Sequence, residues 1–520
     1  MKNQTNSRRE FIKFLGHGSL ALSSLNLLSS CSSNNIKASP FPSFKDDVIL
    51  ADGLSYYPII SWNDPMNSKE VFGFNNDYIN IQMINANELI MWVNHEYISP
   101  LFVSGLERTK ENVDIEKSLV GGSLIKLKKE NNKWKFIYND QHNKGVRGNT
   151  MIPFANNVSV RGSKVVEGTL ANCAGGKTPW NTFLTCEENY DGFYGERDRK
   201  TDQIKSNNFS VGWQTFYPKN LPEHYGWVVE IDPFTGQAKK HTNLGRFAHE
   251  SATCVTSKDK KVVVYSGDDR NDEHLYKFVS KTDYNLTSGI LYVANIKQGK
   301  WLPLDLNLSP ILKKHFKSQL DVVTYPREAA KILGATPLNR PEDIEVHPIT
   351  GDVFIALTNN KPKGDFHGSI LKISENNNLH SSTEFTSETF ISGGKEAGFS
   401  CPDNMAFDSK GNFWISTDIS GSAVGSDPYK PFGHNGLFVI PAHGKNAGKV
   451  IQFASAPVAA EFTGLCFDPT EKTLFVSVQH PGETTKDLNK PTSHWPNGTG
   501  IPKPTVIAIE GKFLTQITQG

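Results

Sequence analysis

Residues 184–195 read LTCEENYDGFYG, so that Cys186 is followed at once by Glu187 and Glu188. Carboxylates beside a thiol raise its pKa, which is the wrong direction for a free nucleophile. Buried together, the three would be costly without a positive partner; around a cation they become a ligand set. Other carboxylates stand at the heads of apolar strands along the chain, Glu250 in GRFAHES, Glu342 and Asp343 in NRPED, Asp403 in SCPDN and Glu461 in EFTG, while Asp269 in SGDD follows the strand Lys261–Tyr265. A single acid before a strand is ordinary turn chemistry. Acids recurring at one register are different, because so many carboxylates cannot share a cavity unless cations bind them. Hard cations such as calcium take about six to eight oxygens. A thiolate among those oxygens, with His249 beside Glu250, suits a transition metal better.

Arg340 stands two residues from Glu342. Its planar fork suits a phosphate or carboxylate ligand; the plainer role is an ion pair with the neighbouring acids. Clustered cations with an arginine make the apparatus of phosphoryl transfer, in which the ions polarise phosphorus–oxygen bonds and activate an oxygen nucleophile. The sequence offers no serine or threonine with an obvious activating base.

The elements that must position these groups are strands. Short β-branched and aromatic runs, such as Ile90–Val93, Trp227–Ile231, Lys261–Tyr265 and Leu474–Val478, alternate with Gly, Asp, Asn and Pro turns almost to the end of the chain. Helix-like stretches at Leu308–Phe316 and Arg327–Leu333 read as insertions. A strand–turn–strand unit recurs at Ile344–Ala356, Met405–Ser416 and Leu465–Ser477, with His347, Asp408 and Asp468 in equivalent turn positions. Glu230–Gly236 reads as a fourth copy. Units of strands recurring about every sixty residues point to an all-β fold, a β-propeller of about five to seven blades with loop and short helical insertions. An array of β-sandwiches is the alternative. In a propeller the innermost strands start near the central channel on one face, so the acids at their heads would converge there.

Lys+Arg 55 against Asp+Glu 54 leaves a net charge of +1, which excludes a global field for nucleic acid. At the N-terminus, Ser7 to Lys13, with Arg8 and Arg9, resembles a twin-arginine export motif. The stretch from Phe14 to Leu28 is too short and too polar for a comfortable membrane span. It ends in Leu28-Ser29-Ser30-Cys31, which resembles a lipobox and makes Cys31 the expected lipid anchor. Residues 32–45 then read as a linker and 46–520 as one propeller domain. Without Cys31 five cysteines remain, Cys173, Cys186, Cys254, Cys401 and Cys466, an odd set that does not make a full disulfide framework. Cys254, Cys401 and Cys466 flank apolar strands and read as small core residues.

Taken in order, FGFNND (72–77), VNHEY (93–97), TCEEN (185–189), GRFAHE (245–250), GDD (267–269), RPED (340–343), CPDN (401–404), FTG (462–464) and QHPGE (479–483) resemble the PhoX-type alkaline phosphatases. The resemblance implies a six-bladed propeller whose axial site holds two ferric ions, three calcium ions and a bridging oxo group. It implies hydrolysis of phosphate monoesters at alkaline pH. It makes Cys186 an iron ligand, Glu187, Glu250, Asp269, Glu342, Asp343, Asp403 and Glu461 metal-binding carboxylates, and Arg340 a contact to the substrate phosphate. A second basic residue at the phosphate would come from the loop of Lys430 and His434. The expected partners are small phosphoesters, the twin-arginine translocation machinery and, through Cys31, a membrane. The expected protein is an exported monomer, periplasmic or on the outer surface, that scavenges phosphate. Two other readings compete: a calcium-dependent propeller lactonase or phosphotriesterase, and a non-enzymatic surface-binding propeller stapled by calcium.

Overall fold

The structure is a computed structural model that describes residues 41–206 and 211–520. The export residues Arg8 and Arg9 and the anchor Cys31 lie outside the described residues. No helix among the described residues is long and apolar enough to cross a membrane.

Six antiparallel sheets of four or five strands make the blades of one β-propeller. In chain order their innermost strands are Asn76–Asn85, Asn172–Lys177, His249–Thr256, Pro341–Val346, Pro402–Phe407 and Glu461–Phe467. Each packs against the innermost strands of the blades before and after it, and Glu461–Phe467 packs against Asn76–Asn85 to complete the ring. Blade faces are apolar and only neighbouring blades can cover them. Ile60, Met91, Val93, Ile125, Phe475 and Val506, for example, form one buried cluster between the sixth and first blades. The sixth blade is built from both ends of the chain, since Leu54–Ser61 pairs along Thr505–Gly511 as its outer strand.

The turns explain the repeat. Asp408 accepts from the backbone N–H of Lys410 and Asn412, and Asp468 from those of Lys472 and Thr473. His347 does the same work through Nδ1, which accepts from the N–H of Ile349 and Thr350 at 3.2 Å. The fourth copy is chemically similar but sits elsewhere. Asp232 accepts from Phe234 and Thr235, yet its hairpin joins the third and fourth strands of the second blade rather than the first and second. Turn chemistry alone does not distinguish the two hairpins. The expected helices are present as a 3-10 turn at Pro310–Lys314 and an α-helix at Pro326–Leu333. The latter returns Arg327 to Asp268, at the end of the third blade's second strand, through a paired contact with Nε 2.7 Å from Oδ2.

Candidate metal and phosphate site

A repeated backbone device aims side chains into the axis. Every innermost strand breaks its pairing register near its start, between Asn76 and Ile79, Asn172 and Gly175, Glu250 and Thr253, Pro341 and Ile344, Pro402 and Met405, and Thr463 and Cys466. Such bulges bend the strand and redirect what it carries. In five blades the strand head follows a non-glycine residue in the left-handed region: Asn75, Ala171, Arg340, Cys401 and Ala459, with φ from 47° to 54°. That conformation costs about 1–2 kcal/mol without a special reason to hold it. Two residues further on, in each case, comes a side chain of the axial basin: Asp77, Cys173, Glu342, Asp403 and Glu461. The third blade contributes Glu250 without this preceding turn.

A second tier comes from the far end of the next strand. One residue beyond it stand Glu96, Glu188, Asp269, Asp418 and His480 in five blades, and Thr358 in the fourth. The five line the same cavity of about 230 Å³. The basin is thus two stacked rings of acids with one thiol, one histidine and one arginine.

Glu250, Asp269, Glu342, Asp403, Glu461 and Arg340 lie where the sequence expected them, around the basin. Cys186 and Glu187 do not. Strand alternation sends Cys186 into the apolar cluster of Leu184, Val228 and Val264. Glu187, on the opposite face, is fully buried with Lys240, whose Nζ donates to Oε1 at 2.7 Å, while the Trp227 N–H donates to Oε2. A lysine therefore compensates this carboxylate. The acid that turns into the basin is Glu188, one residue beyond the strand. The thiol is Cys173, which donates to Glu250 Oε2 at 2.8 Å. Glu187→Gln should leave Lys240 charged and unpaired in the core and destabilise the fold by about 3–5 kcal/mol. Metal content should be unchanged in whatever protein folds, as thermal melts and elemental analysis would show.

Asp343 is also turned away. It accepts from Ser251 Oγ, the Ile344 N–H and, at 2.6 Å, the Met405 N–H, stitching three consecutive innermost strands together. His249 commits both ring nitrogens, to Ser266 Oγ and to the Gly245 carbonyl. Neither Lys430 nor His434 reaches the basin; His434 is buried and donates to the Ala456 carbonyl. All five described cysteines are free thiols.

The sequence offers Glu188 with Cys186 and Glu187 in LTCEEN; the residues missed by sequence reasoning are Asp77, Glu96, Cys173, Asp418 and His480. Asp77 stands at the head of a strand like the other acids, in FGFNND. Cys173 was harder to see because its strand, Asn172–Lys177, contains no β-branched residue. Gly176 is needed there because a Cβ would run into the Ala252 carbonyl of the next blade.

Two ligand groups converge in the basin: Cys173, Glu188 and Glu250, and Glu250, Glu342 and Asp403, each with donor atoms within 4.8 Å of one another. Glu250 belongs to both. One group contains sulfur and the other only oxygen, a division that matches a softer and a harder cation. Without cations the acids repel. Burial, then Glu96 and Glu461, raise Asp77; burial, then Glu188, raise Glu250; burial moves Glu96 and Glu461 up to about 7. Burial, then Glu250, likewise pushes the Cys173 thiol up. Burial alone would depress His480, but Glu483 and Glu461 outweigh it and hold its proton. Arg340 runs the same way: burial opposes its charge, and Asp269 and Glu342 more than offset that. Its Nε and Nη2 donate to Asp269 at 2.8 and 2.9 Å, and Nη2 lies 2.6 Å from Glu342 Oε1. Among the described residues Nη1 has only Asp418, at 3.7 Å.

A family model described as alkaline phosphatase PhoX matches residues 37–482. Among solved structures, that of Pseudomonas fluorescens PhoX in complex with vanadate, a transition-state analogue, is similar at 28% identity and a TM-score of 0.81, covering 92% of this chain and 98% of that one. A protein of unknown function from Dyadobacter fermentans is similar at 10% identity and a TM-score of 0.42, covering 89% of this chain and 100% of that one. A gluconolactonase from Xanthomonas campestris follows at 11% and 0.32, covering 67% and 76%. No curated protein matches the sequence.

Proposed function

Because the chain belongs to the PhoX alkaline phosphatase family, we propose that this phosphatase hydrolyses phosphate monoesters at an iron and calcium cluster held in the axial basin. The observation that carries the reading is the thiol–carboxylate pair of Cys173 and Glu250 beside an all-oxygen group that shares Glu250. A calcium-only lactonase or a calcium staple has no use for that thiol. The donor set fits the expected ions. Glu461 Oε2 is buried without a hydrogen-bond partner among the described residues, as a carboxylate oxygen reserved for a cation would be.

In this reading Cys173, Glu188 and Glu250 hold iron, while Glu342, Asp403, Asp77, Glu96 and Glu461 supply oxygens to calcium. When bound, the two ferric and three calcium ions and their oxo bridge supply positive charge to polarise the phosphoester and an activated oxygen for attack. The chain's own residues do the positioning. Asp269 holds the Nε–Nη2 edge of Arg340 through both carboxylate oxygens, which fixes the guanidinium plane and leaves Nη1 to bind a phosphate oxygen. His480 Nε2 holds a proton against Glu461 Oε1 at 2.8 Å, and its ring stands at the edge of the basin. The Pseudomonas fluorescens relative binds vanadate, and a basin that combines cations with one fixed arginine has the charge to stabilise the same kind of trigonal-bipyramidal phosphorus.

Arg340→Lys keeps the charge but loses the fork. It should lower kcat/KM on p-nitrophenyl phosphate by about a hundredfold with the ions retained, a loss typical of removing one transition-state donor. The deciding experiment combines elemental analysis of the purified protein with a p-nitrophenyl phosphate assay. Protein with both metals present yet inert on every monoester would refute the reading. The export signal at Arg8 and Arg9, the lipid anchor at Cys31 and phosphate scavenging complete the proposal; growth on organic phosphate with and without the protein tests the last.

A further inference from the structure

We propose that the alcohol portion of the ester is received by an apolar cavity beside the basin, making the enzyme selective for monoesters of aromatic or bulky apolar alcohols; this rests on the phosphatase reading above. The cavity holds about 760 Å³, more than three times the basin, and falls in the size range of small-molecule pockets. The two adjoin. Tyr97 and His480, with ring centroids 6.1 Å apart, line both, and the Tyr97 hydroxyl donates to Glu483, which also lines both. A phosphate seated at Arg340 thus lies in a basin bordered by an apolar chamber, toward which the alcohol portion would extend.

The walls are aromatic and stiff. Phe74, Phe102 and Phe193 face the cavity, Phe74 and Phe102 packing with centroids 6.0 Å apart. Pro100, Pro481 and Pro502 line it as well, and prolines lock φ, so little ordering is required on binding. Charge decides what kind of alcohol fits. The two arginines on the cavity are committed: Arg108 to Glu116 through contacts of 2.5 and 2.8 Å, and Arg270 to Asp191 at 2.8 Å. Among the described residues each cation on the cavity, His480 included, faces a carboxylate, and Glu483 on the shared rim disfavours a further anion. A flat neutral ring matches both the walls and the rim.

The test uses the metal-loaded, full protein and two esters of similar leaving-group basicity, ethyl phosphate and 2-phenylethyl phosphate. The wild type should favour the phenyl ester in kcat/KM by about tenfold or more, the expected worth of burying one ring. The advantage should appear in KM. Phe102→Ala and Leu106→Asp should reduce it to within about twofold while turnover of ethyl phosphate stays unchanged. Leu106 is 72% exposed at the cavity rim, so its variant does not threaten the fold. A wild-type ratio near one, or a ratio that survives in both variants, overturns the inference. Calorimetry with ethylphosphonate and 2-phenylethylphosphonate separates this from the parent reading. Equal affinities overturn the cavity assignment. Tighter binding of the phenyl compound by a protein that hydrolyses neither ester supports the cavity and refutes the phosphatase.

Discussion

A Cys173→Ser variant should lose its iron and more than about a hundredfold of its activity, whereas Cys186→Ala should keep both. Changing a group that merely supports a metal ligand typically costs about 10–100-fold, so replacing the ligand itself sets that as a floor. Both thiols are buried in the second blade, thirteen residues apart, and only Cys186 has acids beside it in the sequence. Only Cys173 stands against a basin carboxylate. Burial and Glu250 push its thiol up, so in the absence of a metal it is protonated; iron would displace that proton and show itself as thiolate-to-iron absorbance in the visible. Serine preserves size and polarity at Cys173, so a folded but colourless, inactive variant isolates the sulfur. A Cys173→Ser protein with full iron content, or a Cys186→Ala protein that folds and loses iron, would reverse the assignment.

Stripping the ions should make stability fall with rising pH. In the ion-free fold Glu96 and Glu461 move from an ordinary 4.5 to about 7, with burial the largest cause and His480 opposing it. A carboxyl whose folded pKa is raised holds its proton where the unfolded chain has released it. Its favourable contribution is therefore complete below about pH 4.5, declines above that and is gone once pH passes about 7. Each such group is worth about 3 kcal/mol across the window. Glu188, Glu342 and Asp403 are raised too, each by burial first, and add in the same direction. Bound cations replace those protons, so the loaded protein should show a flat profile into the alkaline range. Melts at pH 4.5 and 8 with and without chelator should differ by at least about 5 °C in their pH dependence. Parallel profiles would mean that cations do not neutralise this basin. The same linkage favours alkaline activity, because protons and cations compete for one set of oxygens.

The fold was legible because it repeats. Strand runs, Asp-led turns and their spacing were enough to indicate a propeller, and the heads of its innermost strands were correctly placed on the axis. Five of the acids read from those heads or from the end of a second strand do line the basin, Glu250, Asp269, Glu342, Asp403 and Glu461. The errors are one-residue and one-strand errors. In LTCEEN, alternation reverses the facing of adjacent residues, so Glu187 pairs with Lys240 and Glu188 enters the basin. Asp343 follows Glu342 by one position and is consumed by backbone N–H groups. Cys173 escaped because glycines required by close packing between blades erase the strand signal around it. Glu96, Asp418 and His480 depend on where a second strand stops, which pairing decides and local sequence does not.

The joining of Leu54–Ser61 to Thr505–Gly511 governs when the whole site can exist. Bringing these segments together closes a loop of nearly the whole chain, the slowest kind of contact to make. Until the final strand has been synthesised the sixth blade lacks its scaffold, and Glu461 and His480 have no fixed relation to Asp77 and Glu96. Cys173, Glu188, Glu250, Glu342 and Asp403 come from the second to fifth blades and do not wait on this closure; the group of Glu461, His480, Asp77 and Glu96 does. Closing the ring, more than building any single blade, is what brings both tiers of the basin together.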